Sequence, residues 1–128
     1  MLMTQLNQVY KCSVCGNMTE AIHTGVGTIV CCGKEMTLMT DEVKPEISAE
    51  KHIPVVSKEG NTVTVKVGSV PHPMTPEHYI QWIEVITENK IYRKQLTPND
   101  APEATFEITE DIATVREYCN LHSLRKNT

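Results

Sequence analysis

Four of the five cysteines in this 128-residue chain lie within the first 32 residues, in two short groups. The first group is Cys12 and Cys15, followed by Gly16, and the second is the adjacent pair Cys31 and Cys32. A C-x-x-C turn lets two sulfurs converge on one metal ion, and the glycine after it relieves backbone strain beside the sulfurs. Four thiolates would complete a tetrahedral site suited to zinc or iron. The spacing alone leaves both metals open, including a zinc ion that only holds the segment together.

The adjacent cysteines make the second half of this site unusual. Two neighbouring residues cannot direct their sulfurs at one metal with the relaxed geometry of a C-x-x-C turn, so we expect a distorted tetrahedron. The pattern over residues 8–38 resembles desulforedoxin, a small mononuclear-iron protein with a C-x-x-C turn followed by an adjacent pair. This resemblance implies that the four cysteines hold iron and that the site transfers electrons.

A second set of possible ligands is spread over the rest of the chain. It comprises His52, His72, His78, Cys119 and His122. Taken singly, each is better explained as a surface histidine, a loop residue or a small buried cysteine. Together they are notable because the whole chain has only five histidines. The fifth, His23, matches no ligand position, and we expect it to be an ordinary surface residue.

The chemistry of this second set differs from that of the cysteine site. Imidazole is a good ligand for Fe(II), and a single thiolate is a strong electron donor. Four neutral imidazoles and one thiolate would leave ferrous iron with a net charge of about +1 and one open coordination position. An open position is typical of catalytic rather than structural metal sites, and it would attract a small anion.

The elements that must position these residues are predicted to be short strands. Residues 61–67 alternate polar and apolar side chains with period two, after turn-forming residues at 59–61. Further β-rich runs cover residues 79–86, 91–96, 105–108 and 114–118. No stretch has convincing helical periodicity, and several short strands at this spacing predict an all-β sandwich.

The chain is predicted to consist of two modules and a joint. Residues 1–38 are too few to bury a substantial core, and such segments usually need a metal or disulfide staple. Residues 39–46 are polar and contain a proline, which is typical of a linker. Residues 47–128 are long enough for one β domain.

Composition excludes several classes of function. A net charge of −4 without a Lys/Arg-rich run argues against nucleic-acid binding, and the longest apolar stretches are too short to span a membrane. The N-terminus has no basic start and no apolar run of a secretory signal, so we expect a cytoplasmic protein. An odd number of cysteines fits metal binding better than a disulfide framework.

Three further segments resemble the motifs of desulfoferrodoxin, the two-iron class of superoxide reductase. They are residues 50–55, 68–74 and 117–122, and with the N-terminal cysteines the similarity covers nearly the whole chain in the same order. The resemblance implies a small desulforedoxin-like, metal-stapled domain followed by an immunoglobulin-like β-sandwich. It also implies one-electron reduction of superoxide to hydrogen peroxide, with an external electron donor such as rubredoxin.

The resemblance assigns roles to individual residues. It implies two mononuclear irons, one held by the four N-terminal cysteines and one with His52, His72, His78 and His122 in a plane and Cys119 as axial ligand. Glu50 falls on the family's motif carboxylate, which can occupy the sixth position of the oxidised iron. Lys51 falls on the motif lysine near the open position, where it would steer superoxide and order the water that delivers protons. The simpler explanation of Glu50 and Lys51 is a solvated surface pair.

Two other functions are compatible with the same residues. The chain could be an electron-transfer protein whose second iron only stores an electron, or a zinc-stapled β module that acts as a binding domain. Reaction with superoxide would exclude the first alternative, and a coloured, iron-loaded protein would exclude the second. Because desulforedoxin-like modules resemble modules that pair, we also expect a homodimer.

Overall fold

A computed structural model describes residues 3–39, 54–67, 73–120 and 123–127. The chain folds as two compact units, Met1–Thr40 and Asp41–Thr128. The described residues form twelve strands and no helix, which confirms the mainly β prediction. Accordingly, none of these residues belongs to a helix long and apolar enough to cross a membrane.

The N-terminal unit is built from five very short strands. These are β1 (Val9–Lys11), β2 (Met18–Glu20), β3 (Val30–Cys31), β4 (Lys34–Glu35) and β5 (Thr37–Met39). Strand β1 lies between β2 and β5 in an antiparallel sheet, and β3 pairs with β4 as a separate hairpin. Strands of two or three residues are too short to show an alternating pattern, which is why the sequence did not reveal them.

This unit buries few apolar side chains. Among residues 3–39, the buried ones are Val9, Cys12 and Met36, whereas the side chain of Ile22 is 85% exposed. A fully buried aliphatic side chain contributes about 1.5–3 kcal/mol, so two of them and one cysteine are a small core for a separate unit. The N-terminal unit therefore matches the expectation of a segment that needs a staple.

The C-terminal unit is a β-sandwich. Its strands are β6 (Pro54–Glu59), β7 (Thr62–Val67), β8 (Ile80–Thr87), β9 (Ile91–Gln95), β10 (Glu103–Glu107), β11 (Ile112–Cys119) and β12 (Ser123–Asn127). One antiparallel sheet has the order β10-β7-β6, and the other has the order β12-β11-β8-β9. The five strands predicted in this part of the chain correspond to β7, β8, β9, β10 and β11, and the sandwich prediction is confirmed.

Side chains from both sheets form one hydrophobic core. The alternation in β7 places Val63, Val65 and Val67 on the buried face, where they belong to the same cluster as Ile83 of β8 and Val115 of β11. The turn predicted at residues 59–61 is also present, because Gly60 adopts a positive φ of 62° between the paired residues 59 and 62. The sandwich is thus held by burial of the face that the sequence pattern indicated.

Candidate metal centres

The four N-terminal cysteines come together in the described structure, as the sequence predicted. Their Sγ atoms all lie within 4.8 Å of one another, and the sulfurs of Cys15 and Cys31 are 3.6 Å apart. Four thiolates at such distances match the donor set and approximate size of a tetrahedral four-sulfur site for zinc or iron. The residues therefore fit a single metal ion.

The first half of this centre is held by backbone hydrogen bonds. Cys12 directly follows β1, and its sulfur accepts hydrogen bonds from the amides of Val14 and Cys15, each at 3.4 Å. Gly16 continues the turn with a φ of 81°, a conformation that favours glycine. The C-x-x-C-G sequence thus folds locally into a loop whose amides point at the sulfur.

The adjacent pair is positioned by a tight hairpin. Cys31 ends β3 and pairs with Lys34 of β4, so Cys32 and Gly33 form a two-residue loop. Both loop residues have positive φ, 53° for Cys32 and 73° for Gly33, as a type I′ hairpin turn requires. This turn brings the Cys32 sulfur within 3.9 Å of the Cys31 sulfur, which explains how adjacent cysteines can share one metal.

The four thiols differ in their exposure and protonation. Cys12 is buried, whereas Cys15 and Cys32 are exposed. The amides of Cys15 and Val14 lower the pKa of Cys12 to about 6. The contact with the Cys15 sulfur, followed by contacts with Cys31 and Cys12, raises the pKa of Cys32 to about 12. A bound cation would therefore have to displace the Cys32 proton.

Asn17 connects the two halves of the centre, a role that the sequence did not indicate. Its carbonyl accepts a hydrogen bond from the Cys12 amide at 2.8 Å, and its own amide donates to the Cys15 sulfur at 3.5 Å. Its side-chain amide lies 4.0 Å from the Cys31 sulfur. The only sequence signal was its position two residues after Cys15, which is too general to identify the contact.

Two members of the second ligand set, Cys119 and His78, lie within the described residues. Cys119 is the last residue of β11, pairs with Ile80 of β8 and is fully buried in the sandwich core. His78 lies in the loop before β8, and its Nε2 atom is shielded from solvent. The predicted site residues Glu50, Lys51, His52, His72 and His122 lie outside the described residues.

The loop of His78 is attached to the end of β11. The amide of Tyr79 donates to the side-chain carbonyl of Asn120 at 2.9 Å, and the side-chain amide of Asn120 donates to the carbonyl of Glu77 at 3.0 Å. A third hydrogen bond runs from the Asn120 amide to the Tyr79 carbonyl, at 3.2 Å. Asn120, which directly follows Cys119, therefore hydrogen-bonds to both residues that flank His78.

A buried carboxyl lies on the same strand as Cys119. Glu117 is fully buried two residues before Cys119, where side chains of one strand point to the same face. Burial raises its pKa well above the usual range, and its cross-strand neighbour Arg125 offsets this only in part. Glu117 is therefore a buried carboxyl two residues from the candidate thiolate, and burial shifts its pKa upward.

His23 is exposed, in agreement with the expectation of an ordinary surface residue. Its carbonyl accepts a hydrogen bond from the Thr4 hydroxyl at 3.3 Å, and it is not one of the four clustered cysteine-site residues. The described structure therefore gives no reason to add His23 to either centre.

Two family models together match most of the chain. The family model of desulfoferrodoxin matches residues 44–128, and that of the desulfoferrodoxin N-terminal domain matches residues 4–39. A desulfoferrodoxin homologue from Archaeoglobus fulgidus is 54% identical over 126 residues, covering 95% of this chain and 97% of that protein. A desulfoferrodoxin from Nitratidesulfovibrio vulgaris is 49% identical over 115 residues, covering 90% of each chain.

A solved superoxide reductase structure has a similar fold over most of the chain. The superoxide reductase from Treponema pallidum aligns with a TM-score of 0.74 and 34% identity, covering 94% of this chain and 96% of that one. More distant sequence relatives include a superoxide reductase from Pyrococcus abyssi, 32% identical over 115 residues and covering 70% of this chain. The small N-terminal domain and the immunoglobulin-like sandwich predicted from sequence are both confirmed. The chain belongs to the desulfoferrodoxin family.

Proposed function

We propose that this chain is a superoxide reductase, which reduces superoxide by one electron to hydrogen peroxide at a mononuclear non-haem iron. The proposed ligands are His52, His72, His78, His122 and Cys119. The observation that carries the proposal is the set of hydrogen bonds between the His78 loop and the end of β11. These bonds attach the loop of His78 to Asn120, which directly follows the buried Cys119. The superoxide reductases among its relatives support the same activity.

The reaction consumes one superoxide, one electron and two protons and yields one hydrogen peroxide. When bound, ferrous iron with this ligand set supplies the electron and one open coordination position. The imidazoles and the Cys119 thiolate set the charge at that position, and burial of Cys119 keeps water from its sulfur. These residues act by holding their donor atoms in fixed positions while the substrate exchanges with solvent.

Two charged residues complete the proposed site. The Lys51 ammonium supplies local positive charge that draws the anion, although the chain as a whole carries a charge of −4. It also orders the water that delivers protons to the departing product. The Glu50 carboxylate would be available as a further oxygen ligand for the iron in the oxidised protein.

We further propose that the four-cysteine centre, the first of the two centres, also holds an iron ion and transfers electrons. The four clustered sulfurs and the exposure of Cys15 and Cys32 support this role, because a partner can approach an exposed thiolate edge. A rubredoxin-like protein would be the external donor. The superoxide step itself needs only the reduced second centre, so a relay through the cysteines is not obligatory.

The organisation that we propose has an iron domain at residues 1–38, a linker at 39–46 and the catalytic domain at 47–128. The limits of the two compact units and of the two family matches support this division. We also propose a cytoplasmic homodimer. Exposed apolar side chains of the N-terminal unit, including Leu6, Ile22 and Val26, support a pairing surface.

Pulse radiolysis of the reduced, two-iron protein tests the function directly. We expect a fast absorbance transient when superoxide is generated, followed by a ferric thiolate band and release of one peroxide for each superoxide consumed. A spectrum that does not respond, with two irons bound, would mean that the protein is an electron carrier. A colourless protein that contains zinc would instead indicate a binding module.

The variant Cys119→Ser tests the thiolate separately. The hydroxyl is a far weaker electron donor than a thiolate, so we expect the variant to retain a second metal but to lose turnover. The absorption of the four-cysteine centre provides an internal reference for folding and protein concentration. Turnover equal to that of the wild-type protein would exclude Cys119 as an essential ligand.

A further inference from the structure

Asn120 makes three hydrogen bonds to the two residues that flank His78. Its side-chain oxygen accepts from the Tyr79 amide at 2.9 Å, and its side-chain nitrogen donates to the Glu77 carbonyl at 3.0 Å. Its backbone amide donates to the Tyr79 carbonyl at 3.2 Å. One side chain thus uses both its acceptor and its donor on the backbone of a single loop, 41 and 43 residues away in sequence.

The loop that Asn120 holds is closed on itself. The amides of Thr75 and His78 each donate to the carbonyl of the other residue, at 3.0 and 3.1 Å, and the Thr75 hydroxyl oxygen lies 3.2 Å from the His78 amide. The backbone of His78 is therefore fixed within its own turn. The orientation of that turn relative to β11 depends on the bonds that join the two, and Asn120 supplies three of them.

We propose that Asn120 is a positioning residue that sets the His78 imidazole relative to the Cys119 sulfur, so that both can bind one metal ion. This inference rests on the proposed function in one respect, which is that His78 and Cys119 are ligands. Metal–ligand distances tolerate deviations of only about 0.2 Å, and residues behind the ligands commonly change metal affinity by about 10–100-fold. Asn120 is covalently attached to one ligand and hydrogen-bonded to both neighbours of the other.

The geometry specifically requires an amide side chain. An aspartate could still accept from the Tyr79 amide, but its second oxygen would face the Glu77 carbonyl, so that two acceptors would repel each other. A leucine would have a similar size and could make neither bond. The two substitutions therefore remove one or both side-chain hydrogen bonds with little change in volume, while the backbone bond to Tyr79 can remain.

The test compares Asn120→Asp and Asn120→Leu with the wild-type chain after loading with ferrous iron. The matched control is Asn89→Asp, which makes the same change of charge at an exposed position between β8 and β9. The readouts are iron content, the rate of iron loss to a chelator, and the ferric thiolate absorption and electron paramagnetic resonance spectra. Thermal unfolding of the metal-free proteins measures the effect on folding separately.

We expect both Asn120 variants to lose iron from the second centre about 10–100 times more readily and to show a shifted thiolate band. The spectrum of the four-cysteine centre should be unchanged in the same molecules, and the Asn89 control should match the wild type at both centres. If Asn120→Leu does not fold, Asn120→Asp alone gives the comparison, because it retains the bond from Tyr79.

The outcomes separate this inference from the proposed function. Suppose that the wild-type protein binds two irons and that both variants keep its thiolate band and its resistance to the chelator. This outcome would overturn the positioning role of Asn120 and leave the proposed function intact. A lower unfolding temperature with an unchanged second-centre spectrum would do the same, since the residue would then be merely structural. A wild-type chain that never takes up a second iron would overturn the proposed function and this inference with it.

Discussion

Glu84 and Arg116 face each other across β8 and β11, and the Nε atom of Arg116 donates a hydrogen bond to Glu84 Oε1 at 2.5 Å. The Glu84 side chain is fully buried and that of Arg116 is 7% exposed. Arg93 of β9 donates to the other carboxylate oxygen through Nε at 2.7 Å and through a terminal nitrogen at 2.6 Å. The buried carboxylate on β8 therefore balances the positive charge of one arginine on each of the two neighbouring strands, β11 and β9.

Removing the carboxylate should destabilise the C-terminal unit. We expect Glu84→Gln to lower the free energy of unfolding by about 3–5 kcal/mol, because Arg116 would remain buried after losing this counter-charge. Urea unfolding can be followed by the fluorescence of Trp82, the only tryptophan, whose ring stacks on Tyr118 at 5.8 Å. Glu59→Gln, at an exposed position, is the matched control, and equal midpoints for the two variants would contradict the expectation.

We expect that the first centre can be deleted without loss of the superoxide step. The double variant Cys12→Ser and Cys15→Ser removes two of the four clustered thiolates, so we expect it to bind one iron instead of two. The rate constant for superoxide, measured by pulse radiolysis on the chemically reduced protein, should match that of the wild type. Loss of the reaction in a variant that is folded and retains the second iron would establish an obligatory relay.

Metal uptake by the first centre should release protons. Above a pH of about 6 the Cys12 thiol is already ionised, whereas the pKa of Cys32 is raised to about 12 and that of Cys31 is also raised. At pH 7 to 8 the metal must therefore displace protons from Cys31 and Cys32, and its apparent affinity should rise with pH across that range.

Zinc titration of the metal-free protein in a weakly buffered solution, with a pH indicator, measures this release. More than one proton for each zinc bound is the expected result at pH 7. Cys32→Ser should release fewer protons, because the most strongly protonated thiol is absent. An affinity that does not change between pH 7 and 8 would contradict the proposed protonation states.

Lys51 should accelerate the reaction with superoxide by electrostatic attraction. We expect Lys51→Ala to react more slowly than the wild type, with the largest difference at low ionic strength, because salt screens exposed charges. Lys58→Ala removes the same charge at an exposed position of β6 and is the matched control. A rate constant for Lys51→Ala that equals the wild-type value at every ionic strength would remove Lys51 from the mechanism.

The strands of the sandwich could be predicted where burial leaves a local pattern. In β7 the alternation of Thr and Val matches the alternation of half-buried and buried positions. Strand β6 was missed because it begins with Pro54 and continues into exposed polar residues, so it has little pattern of its own. Strand β12, Ser123–Asn127, is likewise dominated by polar and charged residues, and its pairing with β11 is a property of the tertiary fold.

The cysteine site could be predicted because its ligands are close in sequence and chemically distinctive. The supporting residues could not be predicted, since Asn17 and Asn120 are recognisable only from the sulfur and backbone groups that they contact in the fold. The buried position of Glu84 could not be predicted either. A glutamate is normally expected at the surface, and its partner Arg116 is 32 residues away in sequence. Ligand types are thus visible in the sequence, whereas the residues that orient them depend on register and loop closure.

The small core of the N-terminal unit links the metal content of this chain to its lifetime. Among residues 3–39, Val9, Cys12 and Met36 are the buried apolar residues, so the bound ion must replace much of the interior that a larger domain would have. Without it, this segment would open and become a substrate for proteases, while the sandwich, with its own core, would persist. We therefore expect a protease to cut the metal-free chain first within residues 3–39 and to leave the sandwich, with Cys119 and His78, intact.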